Sequence, residues 1–171
     1  MRCKNCKEKF EPLRFNQKYC FNEDCIRVWV EVEKQKQWKA KKTRLKKELM
    51  SLQDWLKLAQ MTFNKWSRHR DKGMNCISCD KPIKGVTHAS HYFSSGGHSN
   101  VRFHEDNVHS GCYKCNVELS GNLLNYQIGI EKRIGGERLL KLHESAHITK
   151  KWTIEELKLL ITEYKNRLKN N

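Results

Sequence analysis

Cys76-Ile77-Ser78-Cys79 and Cys112-Tyr113-Lys114-Cys115 decide how this chain is read. The two Cys-x2-Cys pairs bracket 32 residues that include five histidines, His88, His91, His98, His104 and His109. Two such knuckles can supply four thiolates to one tetrahedral zinc ion. Zinc there would staple the ends of the insert together and hold the histidines in a small rigid unit. The pattern points to a metal-stapled catalytic motif rather than a plain zinc finger.

Working outward, the 171 residues carry 34 Lys+Arg against 19 Asp+Glu, a net charge of +15. That balance points to a polyanionic partner, nucleic acid first and an acidic membrane surface second. Only 37% of residues are hydrophobic and 31% are charged, which argues against one large core and for small stapled units. No apolar run is long enough to span a bilayer. The opening MRCKNCKEKF lacks the apolar region of a secretion signal. With no such signal, and with the eight cysteines falling into four close pairs, metal is a better reading than disulfides. Cys76, Cys79, Cys112 and Cys115 form one structural zinc set, and Cys3, Cys6, Cys20 and Cys25 a second. Each structural zinc contributes about 10–16 kcal/mol at neutral pH, more than either small core could supply alone.

Four segments are expected: a zinc knuckle over 1–26, a basic helical arm over 27–50, a helix plus zinc-ribbon core over 51–125, and a helical region over 126–171. The basic excess lies outside the centre, since residues 71–125 carry as many acids as bases. From Lys34 to Lys47 the arm holds Lys34, Lys36, Lys39, Lys41, Lys42, Arg44, Lys46 and Lys47 and no acid. Their charges point in nearly all directions, so the helix has no apolar stripe to bury. It is either ordered along a nucleic-acid backbone or a solvated linker. Ser51 with Asp54 reads as a helix start, followed by an apolar face of Leu52, Trp55, Leu56, Ala59, Phe63 and Trp66. These tryptophans suit a core better than a base-stacking platform. A strand is expected over 86–92, another near Val101–His104, and a helix from about Cys112, with Gly121 as its C-terminal cap. Thr153 with Glu156 opens the last helix, whose Ile154, Leu157, Ile161, Tyr164 and Leu168 form a short seam. It fits packing within the chain better than a dimer coiled coil.

Hydrolysing a phosphodiester needs a general base for water and a divalent cation for the departing oxyanion. A strand bearing a histidine, a loop pinned by an asparagine and a helix presenting a metal ligand would supply both. His91, Asn107 and Asn116 stand at those three places. The run Cys-x2-Cys … His … Asn-x4-Cys-x2-Cys-Asn resembles a zinc-ribbon version of the HNH (ββα-metal) endonuclease motif. It departs from the common pattern at Asn116, where a histidine often stands, and at Ser90, where a metal ligand often precedes the catalytic histidine. An amide oxygen can ligate a hard cation. His88, His109, a backbone carbonyl and water are the alternatives for the missing ligand.

The words CISC, ASHY, RFHEDNVHSGCYKCN and LSGN occur in that order behind a four-cysteine knuckle and a basic helix, with WTIEE near the C-terminus. Over nearly its whole length the chain resembles the NinG/Rap family of bacteriophage recombination proteins. The resemblance implies an α+β, mainly helical fold with a small HNH-like core. It also implies a structure-selective endonuclease acting on branched double-stranded DNA, such as Holliday junctions and D-loops, in the cytoplasm of the bacterial host. His91 would be the general base, and Asn107 would fix the loop that orients it. Asn116 would bind the catalytic Mg2+ or Mn2+, with His109 and His88 assisting, while the cysteines stay structural. Ser120 and Asn122 could touch phosphate; His98 and His104 rank below the other histidines. A homodimer and other recombination proteins are the expected protein partners. The rivals are a non-enzymatic zinc-stapled DNA adaptor, and an HNH nicking or restriction enzyme or ribonuclease.

Overall fold

The structure, a computed structural model, describes residues 1–170. It forms two compact units that divide between Met50 and Ser51.

In the first unit, the Cys3 N–H donates to the Glu8 carbonyl (2.9 Å) and the Lys7 N–H returns to the Cys3 carbonyl (3.1 Å). Lys7 has a left-handed φ of 64°. This tight turn presents Cys3 and Cys6 side by side. Helix α1 spans Glu23–Glu48. The Asn22 side chain accepts from the Asp24 N–H, Glu23 and Asp24 occupy the first turn, and Lys46 and Lys47 the last. Cap and charges all favour the helix dipole. Because that cap lies upstream of the expected start at Arg27, α1 begins a turn earlier and Cys25 sits on the helix itself. Cys25 is the one buried side chain of α1.

The second unit opens with α2, Leu52–Arg70, closed at its start by the reciprocal Ser51–Asp54 capping box. Its buried face is Trp55, Leu56, Ala59, Phe63 and Trp66, so the tryptophans belong to the core. The last helix, α5, spans Ile154–Arg167 behind the Thr153–Glu156 box. It packs along α2 and buries Leu157, Ile161 and Tyr164. The Tyr164 ring lies 4.9 Å from Phe63 and 4.7 Å from Trp66 between centroids. The seam read from the sequence is therefore occupied within the chain.

Between these helices lies a two-stranded antiparallel sheet of β1, His88–His91, and β2, Val108–Gly111. Ser90 pairs with His109, and His91 with Val108. The strand expected near Val101–His104 is instead a turn. Val101 and Phe103 are both buried, which gives a strand-like alternation. However, the Val101 carbonyl is taken by the His104 N–H and by the Asn107 side chain, so no ladder forms. After β2 comes the expected helix, shortened to one wide π-type turn at Lys114–Glu118. Gly121, at φ 94°, closes it by donating to the Cys115 carbonyl (2.8 Å). Helices α3, Leu123–Ile134, and α4, Gly136–Ala146, follow. Their Tyr126, Ile130, Leu139, Leu142 and Ala146 share one core with Ile77 and Val101. No helix among the described residues is long and apolar enough to cross a membrane.

The knuckle is locked into this core by main chain. The Ile77 N–H donates to the Ser110 carbonyl at the end of β2 (3.0 Å). On its other side α3 approaches so closely that a Cβ on Gly129 would lie 1.8 Å from the Ile77 carbonyl oxygen. At an open helical position, Gly→Ala stabilises by up to about 1 kcal/mol. Here the sign reverses: Gly129→Ala must push α3 off the knuckle and should destabilise by about 1–3 kcal/mol. The midpoint of urea unfolding checks it.

Candidate functional site

Each cysteine set brings its four sulfurs within 4.8 Å of one another. Backbone N–H groups point at them: Cys112 N–H lies 3.3 Å from Cys76 Sγ, and Cys20 N–H 3.3 Å from Cys3 Sγ. The Asn122 and Asn5 amides reach Cys115 Sγ and Cys25 Sγ, each at 3.5 Å. Burial opposes ionisation of Cys76 and Cys3, but these N–H donors outweigh it and bring the thiols down to about 7 and about 6. Burial together with the neighbouring sulfurs pushes Cys115 up to about 12. A divalent cation bound among sulfurs this close would offset their mutual repulsion. Both clusters could hold zinc. With four protein ligands, such a zinc has no open position, so its role would be structural.

His91 ends β1, partly buried against α2. Its Nε2 lies 3.2 Å from the Gln60 amide nitrogen, and the Gln60 amide oxygen accepts from Arg102 Nε at 2.9 Å. Arg102 can only donate, so it fixes which way the Gln60 amide points. His91 Nε2 is then the acceptor, and the neutral ring carries its proton on Nδ1. Burial, aided by the Arg102 charge, holds the His91 pKa below the ordinary 6.5. The ring therefore stands at neutral pH with a basic lone pair on Nε2.

Asn107 is fully buried, and all of its side-chain bonds go to main chain. Its Oδ1 accepts from the Phe93 N–H (2.7 Å), and its Nδ2 donates to the carbonyls of Phe93 (2.9 Å) and Val101 (3.0 Å). Its own carbonyl accepts from the Tyr92 N–H (2.9 Å). The two ends of the loop that leaves β1 after His91 are thus tied together by a single amide.

Asn116 projects from the short helix to β1, where its Oδ1 accepts a 2.7 Å hydrogen bond from the Ser90 hydroxyl. Alternation puts His88 on the same strand face as Ser90. The His88 ring stands 5.8 Å from that of Tyr113. Behind the strand, the fully buried Tyr126 hydroxyl donates to the Ser90 carbonyl at 2.8 Å and fixes the main chain next to His91. Among the described residues, the cysteine sets are the only groups of three or more His, Cys, Asp or Glu side chains close enough to share an ion.

His109 pairs with Ser90 across the sheet and is 3% exposed, so its ring is held inside the fold. Arg70 Nη2 donates to its Nδ1 (3.2 Å), and its Nε2 donates to the Asp106 carbonyl (3.1 Å). Asp71, also buried, accepts from Arg70 Nε (2.6 Å) and from the Ser110 N–H (2.8 Å). Burial alone would raise the Asp71 pKa, but the hydrogen bonds and charge of Arg70 and the Ser110 N–H hold it well below the carboxylate range. Asp106 is likewise paired with Arg138. His98 and His104 also serve the fold, through the Ala146 carbonyl and the Asp106 N–H. Gln60, Arg102 and Tyr126 escaped the sequence reading. They come from elements far along the chain, and no local spacing marks them. The eight basic residues from Lys34 to Lys47 all stand exposed on α1.

Fold and clusters together define a mainly helical protein with a small two-stranded sheet and two four-cysteine groups that could bind zinc. The model of the family described as bacteriophage lambda NinG protein matches residues 1–171, and the chain belongs to the NinG family. It is similar to the protein ninG of Escherichia phage lambda, 34% identical over 188 residues, covering 99% of this chain and 92% of the relative. It is also similar to the protein ninG of Salmonella phage P22, 33% identical over 188 residues with the same coverage. No solved structure matches the chain.

Two outcomes test this geometry. Asn107→Ala takes their side-chain partner from the Phe93 N–H and carbonyl and leaves the Val101 carbonyl with the His104 N–H alone, at about 1–3 kcal/mol for each group left without a partner. A loss on the order of 3 kcal/mol is expected in denaturant unfolding of the zinc-loaded protein. Burial, with the Arg70 charge adding and Asp71 opposing, holds the His109 pKa below 6.5. The unfolded chain therefore binds the extra proton first, and stability is lost as pH falls through 6.5 toward the lower folded value. In His109→Gln this part of the acid sensitivity should vanish, read as a shallower dependence of the unfolding midpoint on pH.

Proposed function

We propose that this protein is a metal-dependent endonuclease that cleaves phosphodiester bonds in branched DNA, such as Holliday junctions and D-loops, during phage recombination in the host cytoplasm. The observation that carries the reading is the neutral His91, held in a fixed tautomer and next in sequence to Ser90, whose hydroxyl bonds Asn116, on a strand whose exit loop is locked by Asn107. The order of two antiparallel strands and a short helix bearing Asn116 supports an HNH-like ββα-metal core.

In this reading, His91 Nε2 takes a proton from water as its oxygen bonds to phosphorus, and the bond from phosphorus to the leaving oxygen breaks. Asn116 Oδ1 would hold a divalent cation, Mg2+ or Mn2+, with His88 at the rim of the strand face that carries Ser90. When bound, that cation supplies charge stabilisation to the departing oxyanion. Neutral ligands suit a hard cation that keeps several of its own waters. The lysines of α1 would hold DNA through its phosphates, without reading sequence. Paired cuts in a two-fold symmetric junction would need two copies, joined through a surface other than the α5 seam.

One observation favours the rival reading of a DNA-binding adaptor: the His91 lone pair is already engaged by Gln60. Labelled four-way junction, linear duplex and single-stranded RNA, each with and without Mg2+ or Mn2+, separate the two. Metal-dependent cutting of the junction is expected, falling about 10²–10⁴-fold in His91→Ala with zinc content and binding retained. Undiminished cutting by the variant would remove His91 as the base. Junction binding without cleavage under either metal would leave the adaptor.

A further inference from the structure

Unit 1 exposes two tryptophans on α1, Trp38 at 62% and Trp29 at 47%. Their surroundings differ. On a helix, neighbours on one face lie three and four residues away. For Trp29 those positions hold Cys25, Ile26, Val32 and Glu33, a mostly apolar setting with an acid. For Trp38 they hold Lys34, Gln35, Lys41 and Lys42. Trp38 is thus a large, mostly exposed ring with lysines on the turns before and after it. No acid occurs from Lys34 to Lys47.

A helix face that docks on protein or enters a lipid surface presents apolar residues in a stripe. Around Trp38 the adjacent turns are cationic or polar instead, and the next apolar side chain along that face is Leu45, two turns on. A flat aromatic face with ammonium groups about one turn to either side matches unpaired nucleic acid. A base stacks on the ring while the flanking phosphates meet the lysines. Stacked duplex offers phosphates but no free base face, so the ring would add nothing to duplex binding.

We infer that Trp38 is a stacking platform for an unpaired base, flanked by Lys34, Lys41 and Lys42, and that it gives α1 a preference for DNA with unpaired bases over continuous duplex. The inference deepens the proposed function, because a D-loop exposes such bases on its displaced strand, and it rests on that reading only in taking DNA as the partner. Where lysines alone would bind any DNA in proportion to its charge, Trp38 supplies discrimination between DNA structures.

The test measures binding of the full-length, zinc-loaded protein to a thymidine oligonucleotide, a gapped duplex and a continuous duplex, by fluorescence anisotropy at one salt concentration. Wild type, Trp38→Ala and Trp38→Phe are compared, with zinc content and circular dichroism confirming the fold. Trp38→Ala should weaken binding to the oligonucleotide and the gapped duplex roughly 5- to 100-fold, leave continuous duplex nearly unchanged, and be largely rescued by Trp38→Phe. An equal loss on all three DNAs, or no loss on the first two, overturns the inference while leaving the endonuclease reading in place. Wild-type binding to none of the three overturns both. Trp38-dependent binding to anionic phospholipid vesicles, with no preference among the DNAs, assigns the ring to a membrane surface instead and also overturns it.

Discussion

The second unit depends on four sulfur atoms held within 4.8 Å of one another. Cys76, Cys79, Cys112 and Cys115 bring four sulfurs together where a divalent cation could bind. Around a divalent cation the same crowding becomes the strongest bond in the unit. The constraint is economical in chain. It joins the turn after α2 to the end of β2, sets where the short helix starts, and so sets where Asn116 reaches β1. What lies between is small: eight strand residues, a loop tied by one amide, and a core patch shared with α3 and α4.

Charge and chemistry are kept apart along this chain. Around His91, Ser90, Asn116, Gln60 and Asn107 carry no charge, Asp71 and Asp106 are paired with arginines, and Arg102 is the cation whose charge reaches the ring. The densest positive charge is the acid-free run from Lys34 to Lys47 on α1, although residues 51–171 also carry 19 Lys+Arg against 12 Asp+Glu. A polyanion thus meets a positive excess in both units, densest on α1, whereas the candidate site is defined by hydrogen-bond geometry.

The parts of this architecture carried by local chemistry were legible in the sequence. The cysteine pairs, the Ser51–Asp54 and Thr153–Glu156 caps, the apolar face of α2 and the α5 seam each announce themselves within one or two turns of chain. Long-range partners were not legible. Val101 and Phe103 alternate like a strand, yet their carbonyl demand is met by a side chain six residues on, and the second strand forms at Val108–Gly111 instead. His109 carries the same imidazole as His91, and its fate is decided by Arg70 and Asp71 from the end of α2. Asn107 could be placed in a loop beforehand, but its fully buried, entirely main-chain bonding could not. Nothing near Ser90 in the sequence announces the Tyr126 hydroxyl that holds its carbonyl.

Gly129 and Tyr126 stand one turn apart on α3. One lets the helix rest directly on the Ile77 carbonyl of the knuckle, and the other grips the Ser90 carbonyl of β1. With no side chain between helix and knuckle, α3 works as a lever without slack. A shift of the sulfur cage is passed on to the strand instead of being absorbed in a soft layer. Alignment of the His91 strand is thereby tied, through α3, to the geometry of the four sulfurs that could hold zinc.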